Sequence, residues 1–108
     1  MNIYLSPEKT ELLKNLFIKK YNGFTLEEIK EVQEQAKDVS FEELVSFFEY
    51  LGDNDELIKA IGENVEEKLI GILGSLYTSK ELIEIFSKYG SYSEIPTYIN
   101  FRIEKGLE

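Results

Sequence analysis

Carboxylates are the only side chains of this sequence numerous and closely spaced enough to suggest chemistry. They come in adjacent pairs: Glu27-Glu28, Glu42-Glu43 and Glu66-Glu67. Two neighbouring carboxyls can hold one proton between them, which is the arrangement that general acid–base catalysis uses. Each pair also falls in the first turn of a predicted helix, where acids complement the helix dipole and cap free amides. The pairs are therefore assigned to helix starts and not to catalysis. Other chemistries lack their residues. With no His and no Cys, the chain has no imidazole base, no thiol nucleophile and no nitrogen or sulfur ligand for zinc. A lysine nucleophile or a metal held by oxygen remains.

Asp53-Asn54-Asp55-Glu56 is the best oxygen cluster for a metal. A helix-loop-helix calcium site needs another oxygen ligand two residues after Asp55, then a glycine, and a glutamate at the loop's end. Those places hold Leu57, Ile58 and Asn64, so the cluster reads as a helix start. Gly71-Ile72-Leu73-Gly74 is no phosphate loop, because no Lys-Ser/Thr follows it. Two glycines inside an apolar helix cost about 1 kcal/mol each against alanine. Close approach of another helix explains them, either from this chain or from a second copy in a weak homodimer. The expectation is a non-enzyme with no cofactor and no metal.

Net charge supports a binding role. Acids outnumber bases 21 to 12, giving −9. Arg102 is the only arginine, and the arginine fork is what pairs bidentately with phosphate and guanine. The overall field repels duplex DNA, so nucleic acid is disfavoured and a basic protein partner is attracted. The longest apolar run, Leu69 to Tyr77, falls far short of the roughly 20 residues that span a bilayer. The absence of cysteine suits a reducing cytoplasm. A hydrophobic fraction of 43%, with seven Phe and seven Tyr, is enough for a core. Residues 1–108 read as a single domain.

The elements that position these groups announce their own starts. Thr25 with Glu28, Ser40 with Glu43 and Thr78 with Glu81 are capping boxes, flanked by staple pairs Phe24/Ile29, Val39/Leu44 and Tyr77/Leu82. Asp53 with Glu56 and Asn64 with Glu67 are weaker starts. Helices are predicted over about Pro7–Tyr21, Leu26–Lys37, Phe41–Leu51, Asn54–Ile61, Val65–Tyr77 and Ser79–Tyr89, the fifth being the most apolar and central. The last stretch is ambiguous. Ile99, Phe101 and Ile103 alternate as a strand would, with Asn2 to Leu5 as the partner. Ile95, Tyr98, Ile99, Arg102 and Ile103 fit a helix as well, with Pro96 in its first turn. The fold class is all-α, a compact bundle of about six short helices crossing at varied angles, with a small terminal two-stranded pairing under the strand reading.

Two surfaces suit a partner. One is the acidic outer face of the second and third helices, carrying Glu27, Glu28, Glu31 and Glu34 on one and Glu42, Glu43 and Glu49 on the other. Such a face steers association with a basic patch; the plainer alternative is a solvated surface diluted by Lys30 and Lys37. The other is the segment holding Tyr89, Tyr92 and Tyr98, whose Tyr-Ser-Gly composition is that of adaptable binding loops. Its plainer alternative is that these rings cover the core edge.

From Leu76 the chain reads Leu-Tyr-Thr-Ser-Lys-Glu-Leu, and from Tyr98 it reads Tyr-Ile-Asn-Phe-Arg-Ile-Glu-Lys-Gly-Leu. These stretches resemble the opening helix-turn-helix of MerR-type and excisionase-type DNA binders. There a Tyr-Thr start precedes the first helix, and Glu-Lys-Gly-Leu closes the recognition helix. The resemblance implies a DNA-binding regulator using residues 78–106, with Arg102 and Lys105 on the recognition helix. The main expectation is different: an acidic, non-catalytic module that inhibits or regulates a protein partner, physically akin to small immunity proteins and phage-encoded inhibitors. A third reading is an assembly subunit that self-associates through the Gly71/Gly74 helix.

Overall fold

The computed structural model describes residues 5–62 and 64–108. Among these, seven helices follow one another: α1 (Pro7–Ile18), α2 (Leu26–Gln35), α3 (Phe41–Gly52), α4 (Asp55–Ile61), α5 (Val65–Leu76), α6 (Ser79–Lys88) and α7 (Ile95–Glu104). A 3-10 turn over Tyr92–Glu94 leads into α7. No strand occurs among the described residues.

The three capping boxes form as the sequence dictates. Thr25, Ser40 and Thr78 each accept the amide three residues on, and the carboxylates of Glu28, Glu43 and Glu81 each accept the cap's own amide. The weaker starts shift. Asn54, and not Asp53, caps α4 by accepting the Leu57 amide at 3.1 Å. Asn64 precedes α5 without a side-chain cap bond.

The strand reading of the last stretch is overturned. In α7, Tyr98 and Arg102 lie one turn apart and are both buried, whereas Ile103 is 60% exposed. Helical spacing therefore decides which residues enter the core, and the two-residue alternation was coincidental. The strand partner expected at Asn2 to Leu5 lies, apart from Leu5, outside the described residues.

Helix α5 is the central element, with Gly71 to Ser75 consecutively buried. It packs against α2 and α7. Its two glycines do receive a close approach, but from aromatic rings. A Cβ on Gly71 would lie 2.2 Å from the Phe24 ring, and one on Gly74 would lie 2.5 Å from the Phe101 ring. Phe24 and Phe101 meet edge-on at 6.0 Å, and Tyr21 stacks on Phe24 at 4.2 Å. At both glycines the close approach comes from within this chain, at Gly74 from a residue of α7. Holding Phe24 there requires a φ of 57°, a region that bulky residues rarely enter and that costs on the order of 1–3 kcal/mol. Burial of the ring offsets that strain.

Candidate partner-binding groove

The start of α3 and one face of α6 form an acid-rimmed aromatic hollow. The Ser40 cap sets Phe41 as the first residue of α3. The Thr78 capping box starts α6 directly after Tyr77 and so aligns Glu81, Glu84, Ile85 and Lys88 along one face. Phe41 meets the Tyr77 ring edge-on at 5.9 Å and the Tyr89 ring at 5.7 Å. The hollow beside them holds about 370 Å³, lined by Phe41, Tyr77 and Ile85 together with Glu42, Glu81, Glu84 and Lys88, with Tyr89 flanking it against Phe41. Across Tyr77 and Glu81 it continues into a second depression of about 280 Å³ beside Gln33, Ala36 and Val39. Together they make a groove and not a closed pocket.

The electrostatics of the groove are negative. Glu42, Glu81 and Glu84 are exposed. Burial, followed by the charges of Glu81 and Glu42, pushes the Tyr77 phenol up to about 12. Glu81 spends one oxygen on the Thr78 amide at 3.0 Å.

Of the ten residues expected on partner surfaces, Glu42 lines this hollow and Tyr89 flanks it against Phe41. The others disperse. Glu28 is taken up at the start of α2: burial would raise its pKa, but bonds from the Asn22 and Thr25 amides and the Lys19 charge outweigh it and hold the carboxyl low. Glu43 pairs with Lys9 at 2.8 Å, and that ammonium, with the Ser40 amide, lowers its pKa. Glu31 pairs with Lys19, and Glu34 pairs with Lys37 at 3.0 Å. Glu27 and Glu49 stand exposed. Tyr92 is 64% exposed, whereas Tyr98 is buried against Phe86 with ring centres 4.7 Å apart. Tyr98 is therefore a core residue: it follows the 3-10 turn by one helical turn and faces inward.

Sequence reasoning missed Tyr77, Glu81, Glu84 and Ile85 as surface neighbours of Phe41. The signal available was the spacing of Glu81, Glu84, Ile85 and Lys88 on one predicted helix, which places them on one face but does not say what lies opposite.

Two cations that could have done chemistry are structural. Lys68 is buried, and its ammonium donates to the carbonyls of Phe17 at 2.7 Å, Ile61 at 3.1 Å and Ile18 at 3.4 Å. Those are carbonyls from the ends of α1 and α4, which lack helical partners. Burial, and then the nearby Lys20 charge, hold the Lys68 pKa below the ordinary lysine value. An ammonium with all three protons committed is a poor nucleophile. Arg102 is buried as well. It donates to the Gly74 carbonyl at 2.7 Å, the Leu107 carbonyl at 3.0 Å and the Glu108 carboxylate at 2.8 Å. Lys105 donates to the Gly23 carbonyl. Helix α7 thus turns its basic residues to the protein, and its exposed positions are Pro96, Thr97, Asn100, Ile103 and Glu104. Among the described residues no three carboxylates gather as a metal site, and no helix is long and apolar enough to cross a membrane.

Comparison with known protein families, curated proteins and solved structures finds no match to this chain.

Proposed function

We propose that this protein is a non-catalytic binding module that inhibits or regulates a basic protein partner, and that it meets that partner through the groove between α3 and α6. The observation that carries this reading is the meeting of Phe41 and Tyr77 under a rim of Glu42, Glu81 and Glu84, with Tyr89 against Phe41 beside it. Aromatic anchors beside a hollow are what interface hot spots are made of, and like-signed rim charges select and steer an oppositely charged partner. The disposition of the cations favours the same reading. Lys9, Lys19 and Lys37 are paired with acids of their own chain, while Lys68 and Arg102 are buried. The outward field is therefore set by the surplus of exposed glutamates. A protein partner is preferred over DNA because the basic side chains of α7 are engaged within the fold.

The test is affinity capture from native cell extract at low and at high salt. Wild type is compared with a Glu42→Lys/Glu84→Lys variant and with a Glu27→Lys/Glu31→Lys/Glu34→Lys variant. The expected outcome is one basic protein retained by wild type, lost with the first variant, kept by the second and released by salt. Retention of the same partner by the first variant moves the site off the groove. Capture of nucleic acid in its place, or turnover of any substrate by the pure protein, overturns the reading.

A further inference from the structure

We propose that the hollow between α3 and α6 receives one arginine side chain of the partner, its guanidinium laid against the Phe41 and Tyr77 rings and neutralised by Glu42 and Glu84. This deepens the protein-binding reading and rests on it. A planar, weakly hydrated cation stacks on aromatic faces and pairs with carboxylates at once, which an ammonium does less well. The hollow offers both elements: two rings, Phe41 and Tyr77, and, on its rim, two carboxylates free of capping duty, Glu42 and Glu84. Its volume of about 370 Å³ admits one long side chain with some water.

A second observation points to a cation. Lys88, from the same lining, already holds its ammonium 6.0 Å from the centre of the Tyr89 ring. That distance is at the outer limit of a cation–π contact, and Lys88 makes no ion pair within 4.0 Å among the described residues. Lys88 is the cation of the lining, and a guanidinium entering the hollow would compete with it for the same carboxylates.

The experiment is an amide-resolved NMR titration of the full chain with N-acetyl-arginine methylamide. The citrulline and lysine analogues serve as controls. The expected result is saturable shifts at Glu42, Tyr77 and Glu84 with a millimolar dissociation constant, a smaller effect of lysine and none of citrulline. Glu84→Gln weakens arginine about threefold and Lys88→Ala strengthens it by a similar factor. Equal responses to citrulline and arginine, equal responses to lysine and arginine, or shifts centred on Glu27, Glu31 and Glu34 overturn the proposal. Capture of the partner by wild type alongside any of those results leaves the protein-binding reading standing and removes only the arginine site. Failure of capture removes the reading beneath it.

Discussion

The ring of Phe24 occupies the place where a side chain on Gly71 would stand. A Cβ there would meet the ring at 2.2 Å, and Phe24 accepts a φ of 57° to keep that position. Replacing glycine by alanine inside a helix ordinarily stabilises by about 1 kcal/mol. At Gly71 the sign reverses, because a methyl group must displace a packed ring. Gly71→Ala is expected to destabilise by about 1–3 kcal/mol, the usual range for overpacking. Gly52 ends α3 with nothing within 4 Å of where a methyl group would sit, so Gly52→Ala is the control and should be neutral or stabilising. Thermal denaturation of both variants checks the pair.

Arg102 fastens the last residues of the chain to α5. Its donors reach the Gly74 carbonyl, the Leu107 carbonyl and the Glu108 carboxylate. Arg102→Met leaves the buried Gly74 carbonyl without this partner, and stability should fall by about 1–3 kcal/mol. Glu108→Gln should cost less, since its carboxylate is the more exposed member of the pair. Urea titrations of the two variants rank them. Equal stability of Arg102→Met and wild type would free Arg102 for an external role.

Helix starts were legible because a cap and its return residue lie three positions apart and need nothing from the rest of the fold. Thr25, Ser40 and Thr78 all act as read. The glycines of α5 were legible only as a demand for close approach. That Phe24 supplies it at Gly71 depends on a turn that no local rule reveals, because positive φ at a phenylalanine is forced by tertiary packing. That Phe101 supplies it at Gly74 depends on how α7 packs on α5. Tyr98 was misplaced for a related reason: a Tyr-Ser-Gly run reads as a loop, yet Pro96 starts a helix that rotates Tyr98 into the core. The groove was half legible. Glu42 and Tyr89 were visible separately, but the contacts of Phe41 with Tyr77 and Tyr89 join segments far apart in sequence, and charge patterning does not encode such contacts.

Lys68 ties the ends of α1 and α4 together through three carbonyls. Lys68→Met keeps the aliphatic stem and removes the ammonium. Relief of the buried charge partly offsets the loss, so the net cost should be about 1–3 kcal/mol. The sharper readout is hydrogen exchange, in which amides near Ile18 and Ile61 should lose protection before those of α6. Uniform loss across the chain would mean that Lys68 supports global packing and not those two helix ends.

Alkali should unfold the protein through its tyrosines. Burial is the first cause of the raised pKa at Tyr21, Tyr77 and Tyr98, each pushed up to about 12, and nearby glutamates add to it. The unfolded chain releases the same protons near pH ~10. Between those values the folded state binds more protons than the unfolded one, so stability falls as pH rises. The contribution is fully present below pH ~10 and is lost as pH climbs through about 12. Tyrosinate absorbance followed together with helical circular dichroism tests this. A late rise in absorbance should coincide with loss of helix, and Tyr98→Phe should move the unfolding midpoint to higher pH. Complete tyrosine ionisation while the helices persist would show that these phenols are solvated in the native state.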